Sequence, residues 1–157
     1  MTRMTAPAFH RLAPLGLVLA TPLLTIAPAE ARTVTEPAKM EAAVQAYVAA
    51  FEAGSADRVA DLFAPDATIE DPIGSPAHHG REAIRAFYRE AMKPGPKLKL
   101  EGPIRVGGDF AVFPFSVTVS HGGHGMRIDV IDTFRFNAEG QVVEMRAFWG
   151  PTNMHAI

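Results

Sequence analysis

The sequence predicts an α+β domain in which three N-terminal helices pack on one face of a curved, mostly antiparallel sheet. Three observations carry that prediction. Apolar residues recur at helical spacing in three segments of the first half. Everything after Pro96 alternates in the manner of strands, and glycine or proline pairs separate one segment from the next. At 157 residues, 48% hydrophobic and 20% charged, the chain has the make-up of a single folded domain with one core.

Residues 1–31 stand apart from that domain and have the three parts of an export signal. Arg3 and Arg11 give a positive start, 12–27 (LAPLGLVLATPLLTIA) is apolar, and Ala29-Glu30-Ala31 fits an A-x-A cleavage site. Pro14 and Pro22 interrupt the apolar stretch, which is shorter than the ~20 residues a membrane span needs. The expectation is therefore a cleaved signal peptide, 1–31, and an exported, periplasmic domain, 32–157, free of the membrane. If the signal is not used, the same domain stays in the cytoplasm.

The first helix is expected over 36–53, with Thr33 and Glu36 spaced as a capping box, Pro37 in the first turn and Gly54 as the stop. Met40, Val44, Tyr47, Val48 and Phe51 form one helical stripe, which puts Tyr47 on the buried face. A short second helix is expected over 56–64, with Val59, Leu62 and Phe63 inward, broken by Pro65-Asp66. Residues 67–71 (ATIED) alternate like a strand that Pro72 and Gly74 end. The third helix, 81–92, presents Ile84, Phe87, Tyr88 and Ala91 at helical spacing and stops at Lys93-Pro94-Gly95-Pro96. Strands are then expected over 97–106, 109–120, 125–136 and 141–149, with turns at Gly107-Gly108, Gly122-Gly123 and Glu139-Gly140.

Parity along 125–136 is the most informative pattern. Met126, Ile128, Val130, Asp132, Phe134 and Phe136 share one face, while Arg127, Asp129, Thr133 and Arg135 share the other with Ile131. Asp132 therefore points into the core. The same argument puts Asp71 on the side of Ala67 and Ile69. With Tyr47, three ionisable or hydroxylic groups from three elements are aimed at one apolar interior. Singly, each has an ordinary structural explanation, because buried polar groups are usually paired with backbone or a cation. Neither apolar parity carries a Lys or Arg to neutralise the acids, however. A buried acid without a cation takes up a proton, and clustered groups with proton affinities pushed apart make an acid–base site.

From about Met40 to His155 the sequence resembles the bacterial ketosteroid isomerases (steroid Δ-isomerases) of the nuclear transport factor 2-like, SnoaL-like superfamily. The segments that carry the likeness are VQAYVAAFEAGS (44–55), LFAPDATIEDPIGS (62–75), AIRAFY (83–88), IDTFRFNAEGQVVEMRAFWG (131–150) and NMHA (153–156). Asp71 follows Tyr47 by 24 residues and precedes Asp132 by 61, a spacing more telling than any single segment. The resemblance implies that Asp71 is the general base, that Tyr47 and a protonated Asp132 are oxyanion donors, and that Tyr88 hydrogen-bonds Tyr47. It implies conversion of a 3-oxo-Δ5-steroid, or a similar small apolar ketone, to the Δ4 isomer through a dienolate, with no metal and no cofactor. It also implies a homodimer formed through the outer face of the sheet. Val59, Phe63, Val117, Phe136, Phe148 and Trp149 are candidates for the apolar pocket wall, or plain core. A non-catalytic carrier of apolar ligands and a lyase or cyclase acting on a polyketide or terpenoid are the competing readings. The export signal departs from the family pattern, as do loops 76–79 and 122–125.

Other classes fall away on composition. A formal charge of -2 with basic residues scattered among acids offers no nucleic-acid footprint. There is no cysteine, so disulfides, thiolate metal sites and thiol nucleophiles are excluded. His78-His79 and His121-x-x-His124 sit in Gly/Pro-rich loops without a convergent third ligand and read as solvated.

Overall fold

The computed structural model describes residues 35–121 and 123–157; the segment read as an export signal, and Thr33, lie outside them. Helix α1 (Pro37–Glu52) starts on Glu36, whose side chain makes no capping bond, so the capping box expected from Thr33 and Glu36 does not open this helix. Pro37 fits in the first turn because the backbone N–H it lacks would have no helical partner there. The helix stops before Gly54, which takes φ +61°, a left-handed value that side chains with a Cβ resist.

Helix α2 (Ala56–Ala60) is capped by Ser55, whose Oγ accepts the Arg58 N–H at 3.2 Å. It ends sooner than the 56–64 expected, because Phe63 opens strand β1 (Phe63–Glu70) by pairing with Val142. Pro65 falls in the irregular stretch between Phe63 and Thr68, where the register shifts and a missing N–H breaks no ladder bond. Asp71 lies just past the strand, before the turn at Pro72. Strand β2 (His78–His79) returns antiparallel to β1, and α3 (Arg81–Ala91) follows, burying Ile84 and Tyr88. The Arg81 guanidinium donates to the Phe63 carbonyl from Nε at 2.9 Å and Nη2 at 2.5 Å, tying α3 to the start of β1.

The expected strand 97–106 is two strands, β3 (Lys97–Leu100) and β4 (Arg105–Gly107), each paired to β5 (Phe110–His121). The break falls at Gly102-Pro103 opposite Pro114, so two prolines withhold the donors a continuous ladder would need. A Cβ on Gly102 would come within 3.0 Å of the Pro114 ring. Strands β6 (His124–Phe136) and β7 (Val142–Phe148), a 3-10 turn (Pro151–Asn153) and β8 (Met154–Ala156) complete the chain.

The sheet runs β2-β1-β7-β6-β5-β3, with β4 on β5 and β8 on β6; β1 and β7 are parallel and the remaining pairs antiparallel. Helices cover its inner face. There Tyr47, Phe63, Tyr88, Phe113 and Phe134 are almost wholly enclosed and meet edge to face, with Tyr47 and Phe134 ring centroids 5.2 Å apart and Phe113 and Phe134 5.0 Å apart. Such contacts hold the aromatic rings in fixed orientations. This wall holds the Tyr47 hydroxyl in place.

Candidate active site

Strand register brings the two acids together. Asp132 on β6 is paired with Ala147 on β7, and Asp71 follows Glu70, which is paired with Arg146, so Asp71 falls beside Ala147 from the other side. Asp71, Ala147, Asp132 and Phe113 thus occupy one rung across four strands. At the usual strand spacing the two acids are anchored roughly 10 Å apart, with a buried alanine leaving room between them. The next rung toward the opening of the cavity carries Val130 paired with Phe115, and Trp149 just past the end of β7.

Asp132 is fully enclosed, and neither carboxyl oxygen has a hydrogen-bond partner among the described residues. Burial drives its proton affinity far above that of an ordinary aspartate, and the neighbouring Asp71 adds in the same direction. Burial without a partner thus favours its protonated form. Tyr47 and Tyr88 place their hydroxyls 3.3 Å apart, both rings enclosed, and burial holds both phenols well above their ordinary range.

Asp71 is half-buried. Its Oδ1 accepts the Trp149 indole Nε1–H at 2.6 Å. Burial raises its proton affinity, while the Trp149 bond and the charge of His78 pull it back. The site therefore sets Asp71, made more basic by burial, beside three groups whose proton affinities burial also raises: Tyr47, Tyr88 and Asp132. A cavity of about 170 Å³ opens here, with Asp71, Tyr47, Tyr88 and Trp149 as its polar lining and Phe51, Phe87, Ala91, Pro96, Phe115, Val117, Val119, Ile128 and Val130 as its apolar one. Asp132 is not among the lining residues and is fully enclosed.

The model of the SnoaL-like domain matches residues 44–145, a span that includes Tyr47, Asp71 and Asp132. The chain belongs to the SnoaL-like family. It is 41% identical over 118 residues to a steroid Delta-isomerase of Nocardioides simplex, covering 74% of this chain and 94% of that protein. It is 31% identical over 123 residues to the epoxide hydrolase LasB of Streptomyces lasalocidi, covering 75% of this chain but 43% of that longer protein. Among solved structures it superposes on the epoxide hydrolase/cyclase-like enzyme SalBIII, described for pyran ring formation in polyether salinomycin. That match has a TM-score of 0.72 at 25% identity and covers 76% of this chain and 97% of that one.

Within this SnoaL-like fold, Tyr47, Tyr88, Asp71 and Asp132 converge, and Val117 and Trp149 line the cavity. The other four wall candidates do not. Phe63 and Phe136 face inward but lie at the opposite end of the sheet, both paired with Val142, and Val59 is enclosed beneath α2. Phe148 has the outward parity, paired with Ile131, and is 43% exposed. Parity assigns a face; only register assigns an end. Phe51, Phe115, Val130 and Pro96 were missed for that reason, and the Trp149 bond to Asp71 because nothing local ties residues 78 apart. Among the described residues no three acids or histidines cluster as metal ligands.

Proposed function

We propose that this protein is a cofactor-independent isomerase that moves a carbon–carbon double bond from the β,γ to the α,β position of a ketone, with 3-oxo-Δ5-steroids as substrates. The supporting observation is Asp132, a fully buried acid with no partner among the described residues, beside the Tyr47–Tyr88 pair and one alanine away from Asp71. Kinship with a steroid Delta-isomerase favours the same reading.

In this mechanism the substrate's reacting end enters among Asp71, Tyr47 and Asp132. Asp71 takes a proton from the carbon between ketone and alkene, and the electron pair moves toward the ketone oxygen. Tyr47 and Asp132 donate to that oxygen as its charge grows. Because both donors are already fixed in an apolar site, no solvent must reorganise. Asp71 then returns the proton at the far end of the dienolate, so the reaction balances with one proton and one residue serves both steps. Purified domain mixed with 5-androstene-3,17-dione should develop the absorbance of a conjugated enone; folded protein that gives only the buffer rate would refute the proposal.

Kinship with LasB and SalBIII supports a second reading, epoxide opening, in which Asp71 deprotonates the attacking oxygen and Tyr47 or Asp132 protonates the epoxide oxygen. Phenols that mimic a dienolate should bind tightly to an isomerase and weakly to an epoxide-opening enzyme. Export through 1–31 remains part of the proposal, tested by finding the chain in the periplasmic fraction with its N-terminus at Arg32. So does a homodimer through the outer sheet face, where Ile131 and Phe148 are paired and exposed. Sedimentation of an Ile131→Lys variant as a monomer, against a wild-type dimer, is the expected result.

A further inference from the structure

The histidine pair that reads as a solvated loop is a strand. In β2, His78 stands opposite Ile69 and His79 opposite Thr68. Residues directly opposite in a ladder share a face, so His78 shares the face of Ile69, which is fully enclosed, while His79 takes the other. Asp71, two residues beyond Ile69, continues that inner face. His78 is half-buried, and its ring centroid lies 4.8 Å from that of Phe87, a residue of the cavity wall. Packed there, the imidazole cannot swing freely into solvent.

We propose that His78 is a positioning residue for Asp71: held against the cavity wall by Phe87, its imidazole sets how strongly Asp71 binds its proton. This rests on the reading of Asp71 as the base.

The charged groups of the surrounding elements are committed elsewhere. On α3, Arg81 donates to the Phe63 carbonyl, Arg85 pairs with Asp57, Asp61 and Glu82, and Arg89 pairs with Asp57. On β1, Glu70 accepts the Gly74 N–H at 2.6 Å. Tyr47 from α1, Tyr88 from α3 and Asp132 from β6 all have their proton affinities raised by burial, which favours their uncharged forms. Burial raises the proton affinity of Asp71, and the Trp149 bond and then the His78 charge oppose it.

The direction follows from Coulomb's law. A protonated His78 favours the Asp71 carboxylate, so Asp71 stays ionised to lower pH but abstracts a proton less readily. A neutral His78 leaves a stronger base. Diagonal neighbours on paired strands lie roughly 7–8 Å apart. At that range one unit charge changes the proton affinity of another by roughly two- to fortyfold at a partly solvated site.

The test is to follow the Asp71 carboxyl by carbon-13 NMR from pH 3 to 9, with its resonance assigned by loss in Asp71→Asn. His78→Gln should raise the Asp71 midpoint by roughly a two- to fortyfold change in proton affinity, while His78→Lys, which keeps a positive charge at that position, should not. An Asp71 midpoint that rises equally in both variants, or that is unmoved in His78→Gln, overturns the proposal. Where a variant does not fold, His78→Asn stands in for His78→Gln and His78→Arg for His78→Lys. The pH profile of enone formation then separates the two claims. An NMR coupling without turnover keeps His78 and removes the isomerase, whereas turnover whose acid limb is unmoved in His78→Gln keeps the isomerase and removes His78.

Discussion

Asp129 and Asp132 sit three residues apart on strand β6 and lead opposite lives. Asp129 faces out, takes the Arg127 Nε–H at 2.8 Å and lies 3.4 Å from the His155 imidazole. Arg127 in turn bonds Glu101, which accepts the Ser116 hydroxyl at 2.8 Å. Arg127, Asp129 and Glu101 each have an opposite charge within reach. Asp132 faces in, has no cation and no hydrogen bond among the described residues, and burial raises its proton affinity well above the ordinary one. One strand thus carries the same side chain paired with cations on one face and buried without a partner among the described residues on the other. The difference teaches that environment, set by parity alone, decides which acid can do chemistry.

The inner face should be sensitive to single atoms and the outer face indifferent. Asp71→Asn should lower enone formation by roughly 10²- to 10⁴-fold, the usual worth of a positioned base, while leaving the affinity for a dienolate-mimicking phenol intact. A ligand carrier would show no change in function. Asp132→Leu, which removes a donor from the inner face, should lower turnover by roughly 10²- to 10³-fold without unfolding the protein. Asp132→Asn keeps a neutral donor and should lose less.

The same residue predicts a pH effect on stability. Its native proton affinity lies above that of the unfolded chain, so the native state holds a proton that the unfolded state has released. Stability is therefore lost as pH rises from the unfolded value near 4 toward the raised native one, at about 1.4 kcal/mol per pH unit. Urea unfolding of wild type and Asp132→Asn from about pH 4 upward should show the variant gaining on the wild type as pH rises toward the raised native value. Asp71 is common to both proteins and cancels.

Trp149→Phe removes the bond that holds the Asp71 carboxyl down, so the acid limb of the pH–rate profile should move to higher pH with the plateau largely kept. The smallest effect belongs to the outer face. Asp129→Asn should leave turnover, the pH profile and the urea midpoint at wild-type values.

Much of this was legible in the sequence, and the legible part has a physical boundary. Helix stripes placed Tyr47 and Tyr88, and strand parity placed Asp71, Asp132 and Ile131 on their observed faces, because side-chain direction follows backbone periodicity directly. Cavity walls did not follow, since Phe63 and Phe136 share parity with Val130 yet sit at the far end of the sheet. That end is set by the β1–β7 pairing, which joins segments some seventy residues apart. Helix α2 was overdrawn because Phe63 pairs with Val142 instead of continuing the helix, and the strand expected at 97–106 because Pro103 and Pro114 interrupt a ladder that single-segment patterns treat as continuous. His78 was misread for a related reason, as its face exists only through pairing with Ile69.

The central claim is that Asp132 is a neutral acid in the free protein. Infrared difference spectroscopy of wild type against Asp132→Asn tests it, with the carboxyl labelled by carbon-13 aspartate and the pH stepped from 5 to 9. The account predicts a protonated carboxyl band assigned to Asp132 that persists through neutral pH. A carboxylate band from Asp132 at pH 7 would contradict it.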